Sequence, residues 1–75
     1  MRAKLFEIIA QVMSEDVGNI SEESSPKNIE KWESLTHMNL ILAIEAAFDL
    51  VFTDAEIVRM VDTKEILGVM EQKNV

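Results

Sequence analysis

The sequence predicts an all-α fold: a small four-helix bundle with three longer helices, one short third helix, and a long loop between the first two helices. Three observations carry this reading. Apolar residues recur at helical spacing, cap residues stand where the later helices should begin, and strand signals are poor. Leu50-Val51-Phe52, the one strand-like run, is too short and isolated to found a sheet. Residues 1–75 are expected to form one domain, since a chain of this length holds one modest core.

In the first helix, Leu5, Ile8, Ile9, Val12 and Met13 follow the i, i+3, i+4, i+7, i+8 pattern of an amphipathic helix. It should end near Ser14, with Gly18 placed to help the chain turn away. From Glu15 to Glu33 the character changes, and Ser21, Ser24, Ser25, Pro26 and Asn28 punctuate a long connection. Val17, Ile20, Ile29 and Trp32 are expected to pin it to the core, which marks it as a functional loop rather than a flexible linker. A second helix runs from about Ser34 to Phe48. Thr53 to Glu56 has the spacing of a capping box and opens a short third helix. Asp62 or Thr63 caps a last helix reaching roughly Gln72, which the interior Gly68 weakens slightly.

Composition excludes several function classes. With no cysteine, disulfides, thiolate metal sites and thiol nucleophiles are ruled out. Fourteen acidic residues against seven basic ones give a net charge of −7. That field repels nucleic acid and anionic membranes and favours partners with basic patches. The longest apolar stretch, Leu40 to Ile44, is far too short to span a bilayer, and no signal-peptide cleavage pattern follows the N-terminus. A cytoplasmic monomer is expected.

The second helix holds more apolar surface than one core face requires. Leu40, Ile41, Ile44 and Phe48 cluster on one side as the expected buried face. Leu35, Met38, Leu42 and Ala46 form a second stripe, open to two readings: a docking surface, or further core covered by loop residues such as Trp32. Ser34 sits where the helix begins and reads as its N-cap. A phosphodiester there would meet free N–H groups and the positive end of the helix dipole.

The run Trp32-Glu33-Ser34-Leu35-Thr36-His37-Met38-Asn39-Leu40-Ile41-Leu42-Ala43-Ile44-Glu45 resembles the attachment segment of acyl carrier proteins. The family pattern is Asp-Ser-Leu followed by an apolar helix ending near a Glu and a Phe, here Glu45 and Phe48. Phe52 to Ile57 and Pro26 to Trp32 are similar to the family's flanking segments, so the likeness extends over essentially the whole chain. The resemblance implies that Ser34, flanked by Glu33 and Leu35, receives 4′-phosphopantetheine from coenzyme A through a magnesium-dependent phosphopantetheinyl transferase. The arm's thiol would hold acyl groups as thioesters, and the core could shelter the acyl chain. Acyl-loading and acyl-using enzymes would dock on Leu35, Met38, Leu42 and Glu45.

Two departures from the pattern matter. Glu33 stands for the usual Asp, and Asn39, Ala46 and Ala47 fall where fatty-acid carriers are acidic. Both point to a specialised carrier in lipid, polyketide or related acyl metabolism.

Alternative readings are an unmodified helical interaction module, or an aminoacyl or peptidyl carrier. Peptide-synthesis carriers usually show glycines before the serine, and this chain shows none there. A Ser34–His37–Glu33 triad lacks an oxyanion hole and a pocket, so no catalytic residue is assigned. One His with scattered carboxylates lacks metal-ligand spacing, and Glu15, Asp16, Glu22 and Glu23 lack that of a calcium loop.

Overall fold

The computed structural model describes residues 1–75 and contains four α-helices and no strand. They are α1 (Arg2–Met13), α2 (Ser34–Phe48), α3 (Asp54–Arg59) and α4 (Thr63–Gln72), with a 3₁₀ turn at Val17–Asn19 in the loop after α1. The all-helical expectation, with a short third helix, matches this architecture. One hydrophobic cluster joins the elements: Leu5, Ile9 and Met13 from α1, Leu40, Ile41 and Ile44 from α2, Phe52 and Met60 flanking α3, and Ile66, Leu67, Val69 and Met70 from α4.

Local chemistry sets the helix ends. α1 closes on Ser14, which adopts a left-handed conformation (φ 56°), while the Glu15 N–H reaches back to the Ala10 carbonyl. Gly18 has no positive φ, so the turn expected of it is made four residues earlier by Ser14. α2 ends the same way on Asp49 (φ 54°), and Lys4 donates to the Ala47 carbonyl at 2.9 Å. That places a cation at the negative end of the α2 dipole. α3 opens with the expected capping box, Thr53 accepting from the Glu56 N–H and Glu56 accepting from the Thr53 N–H. For α4 the structure selects Asp62 as cap, its carboxylate accepting from the Glu65 N–H at 2.9 Å.

The loop between α1 and α2 is held by its own polar side chains. Ser24 Oγ accepts from the Ser21 N–H, Asn28 Oδ1 accepts from the Ser25 N–H, and Asn28 Nδ2 donates to the Glu23 carbonyl. The Thr63 N–H donates to the Ser24 carbonyl and ties the loop to α4. Three of the four expected anchors, Ile20, Ile29 and Trp32, are buried. The fourth, Val17, is 51% exposed, because the 3₁₀ turn carries it outward. With those anchors fixed, the loop delivers the chain to the start of α2 in a set direction.

Candidate functional site at the start of α2

Ser34 is the first residue of α2 and is exposed. It is not the cap that the sequence pattern led one to expect. Glu33 takes that role, its Oε1 accepting from the Leu35 N–H at 2.7 Å and the Thr36 N–H at 3.2 Å. Thr36 reciprocates by accepting the Glu33 N–H at 2.9 Å. With Glu33 as the cap, Ser34 becomes the first helical residue and its Oγ stays outside the capping network. The same bonds mean that two first-turn N–H groups are already satisfied by Glu33 rather than free for a phosphate.

Trp32 lies beneath this turn, 2% exposed, with its indole N–H donating to His37 Nδ1 at 2.8 Å. The two rings lie nearly parallel, 6.1 Å between centroids and 22° between planes. This bond fixes the neutral His37 tautomer with its proton on Nε2. Burial holds the imidazole below its usual pKa, partly offset by a hydrogen bond with the Met60 backbone. His37 therefore braces the indole, engaged by Trp32 on one side and by the Met60 backbone. Pro26, Trp32, Glu33, Ser34, His37 and Val61 surround an open hollow of about 380 Å³. Pro26 and Val61 come from the loop and from the α3–α4 junction, neither of which sequence spacing could connect to Ser34.

The second apolar stripe of α2 is on the surface. Leu35 is 69% exposed, Leu42 59% and Met38 48%, and Ala46 is exposed as well. The reading that loop residues bury this stripe is set aside, because Trp32 packs beside His37 and under the hollow instead. Glu45 is half-buried, and its carboxylate accepts from the Phe52 N–H at 2.9 Å. It fixes the turn into the segment before α3, a role its place in the family pattern did not disclose. No group of three metal-ligating side chains comes together anywhere in the chain.

No family model matches the chain, and no curated protein sequence does so either. Among solved structures, the solution NMR structure of a holo acyl carrier protein from Geobacter metallireducens superposes with a TM-score of 0.82 at 28% sequence identity. The match covers 96% of this chain and 83% of that one. The fold is that of an acyl carrier protein. The resemblance first seen in the residues around Ser34 is thus met by the whole backbone, and the likeness supports a carrier role. No helix is long and apolar enough to cross a membrane.

Proposed function

We propose that this chain is an acyl carrier, one domain acting as a monomer, with 4′-phosphopantetheine attached to Ser34. The single observation that carries the reading is an exposed serine at the first position of α2, on a fold that matches a holo acyl carrier protein over 96% of the chain. The residues fit the group. Ser34 Oγ is free of the capping bonds and opens onto a hollow, so a transferase can approach it. In that transfer the Oγ–phosphorus bond forms and the pyrophosphate bond of coenzyme A breaks. The adenosine bisphosphate half leaves, and the serine proton passes to the transferase. When bound, the arm supplies a thiol for thioester formation, which a cysteine-free chain does not have.

The chain's own residues then present the arm. Glu33 and Thr36 hold the first turn in place, and the Trp32–His37 bond stiffens its base. Leu35, Met38 and Leu42 offer acyl-loading and acyl-using enzymes an apolar stripe, with Glu45 at its far end. Met38 suits varied partners because its thioether adapts to different surfaces. Asn39, Ala46 and Ala47 leave this helix with few acids, which favours a specialised carrier that relies on apolar contact more than on charge. A non-catalytic, cytoplasmic protein in acyl metabolism belongs to the same proposal.

Incubation with coenzyme A, magnesium and a broad-specificity phosphopantetheinyl transferase, followed by intact mass, tests it. Wild type should gain one arm and Ser34→Ala none. A wild type left unmodified by cognate and broad-specificity transferases alike would overturn the carrier reading, and a gain by both proteins would move the site off Ser34.

A further inference from the structure

The chain has five methionines and no cysteine, so thioethers are its only sulfur. Met13, Met60 and Met70 are core residues with no exposure. A peroxide reaches such a sulfur only through local opening of the fold. Met38 differs: it is 48% exposed, on a helix whose other side is held in the core by Leu40, Ile41 and Ile44. Met1, 38% exposed, is the other accessible thioether, and it lies at the chain start ahead of α1.

Position gives Met38 its importance. It stands four residues after Ser34, so the two side chains are neighbours on one face of α2, about 6 Å apart along the helix axis. It also follows Leu35 by three residues and precedes Leu42 by four, which makes it the middle of the exposed stripe. An enzyme that brings its catalytic centre to Ser34 therefore covers Met38. Of the three large apolar residues on that stripe, Met38 alone carries a sulfur and can change polarity in one covalent step.

We propose that Met38 is an oxidation switch: hydrogen peroxide converts its thioether to the sulfoxide, and the sulfoxide weakens engagement of Ser34 by enzymes that dock on α2. The second half rests on the carrier reading; the selectivity for Met38 does not. In the step, a sulfur lone pair attacks one peroxide oxygen, and the S–O bond forms as the O–O bond breaks. The departing hydroxide takes the proton left on the transferred oxygen and leaves as water, so sulfur is oxidised and the peroxide reduced. The sulfoxide oxygen is a strong acceptor, and covering it in an apolar contact leaves it unpaired. Methionine sulfoxide reductases, drawing on a thiol reductant, restore the thioether, so the change is reversible.

The test uses the chain without its arm, because the arm's thiol would itself consume peroxide. Limited hydrogen peroxide treatment and peptide mapping by mass should place added oxygen on Met38, with Met1 as the competitor and Met13, Met60 and Met70 unchanged. Loading from coenzyme A by the broad-specificity transferase should then fall about tenfold in kcat/KM and recover after treatment with a methionine sulfoxide reductase and dithiothreitol. Met38→Leu, compared with its own untreated form, should lose nothing on the same treatment, which separates Met38 from Met1. Urea midpoints of treated and untreated wild type should agree, and a large drop would overturn the proposal by assigning the loss to unfolding. Oxygen spread evenly over all methionines, or Met38-oxidised wild type that loads at its untreated rate, would overturn the switch and leave the carrier reading intact. Untreated wild type that never loads would instead remove that reading and the switch with it.

Discussion

The helices α2 and α4 are both rich in apolar residues but use them in opposite ways. α4 turns Ile66, Leu67, Val69 and Met70 into the core and leaves Lys64, Glu65 and Glu71 outside. α2 buries only Leu40, Ile41 and Ile44, while Leu35, Met38 and Leu42 stand in solvent. Hydrophobic burial explains α4 completely, and in α2 it explains one side. An exposed apolar stripe lends the isolated fold almost nothing, which is why the proposed function assigns it to partners. The difference teaches that the folding load is carried around α1, α4 and the inner face of α2, and that the outer face of α2 is available for function.

The sharpest way to break the comparison is to truncate both kinds of residue. Ile44→Ala and Ile66→Ala, at fully buried sites, should each cost about 2–5 kcal/mol in urea unfolding. Leu42→Ala should change stability by no more than about 0.5 kcal/mol. A Leu42→Ala loss as large as that of Ile44→Ala would mean the stripe is structural after all. Next in size is the cap of α2: Glu33→Ala should lower stability by about 1 kcal/mol, and Glu33→Asp should retain most of it. Equal midpoints for Glu33→Ala and wild type would show that the carboxylate contributes nothing as a cap.

α4 has its own weak point. An added Cβ at Gly68 meets nothing within 4 Å. Gly68→Ala should therefore gain about 0.5–1 kcal/mol through helix propensity, read as a higher urea midpoint. A loss would reveal a packing demand on that helix face.

The smallest effect concerns pH. Burial holds His37 below 6.5 in the folded state, so as pH falls the unfolded chain takes up this proton first. Its contribution is complete above pH 6.5 and is lost as pH falls from there toward the depressed folded value. Glu22, lowered first by its hydrogen bond from Arg2, and Glu56, lowered first by the Thr53 N–H, lose their contributions only as pH falls below 4.5. Between roughly pH 5 and 8 the urea midpoint of wild type should thus fall on acidification, and that of His37→Gln should fall less. Identical slopes would sink the assignment.

Helical spacing and capping chemistry determined much of this molecule, because both are encoded within a turn or two of the chain. α2 runs from Ser34 to Phe48, α3 begins after Thr53, and Leu40, Ile41 and Ile44 face inward, all as the spacing predicted. The family pattern singled out Ser34 as a candidate for the same reason, since its motif is contiguous. The cap of α2 was misassigned because Ser usually outranks Glu there, and only the backbone geometry shows a carboxylate reaching the first turn. The fate of the Leu35 stripe was open in the sequence, because periodicity measures how much apolar surface a helix has and not what covers it. The hollow beside Ser34 was invisible, since Pro26, Trp32, His37 and Val61 meet only when the anchored loop and the α3–α4 junction pack together. Local propensity fixed the helices; long-range burial decided which surfaces remain open around Ser34.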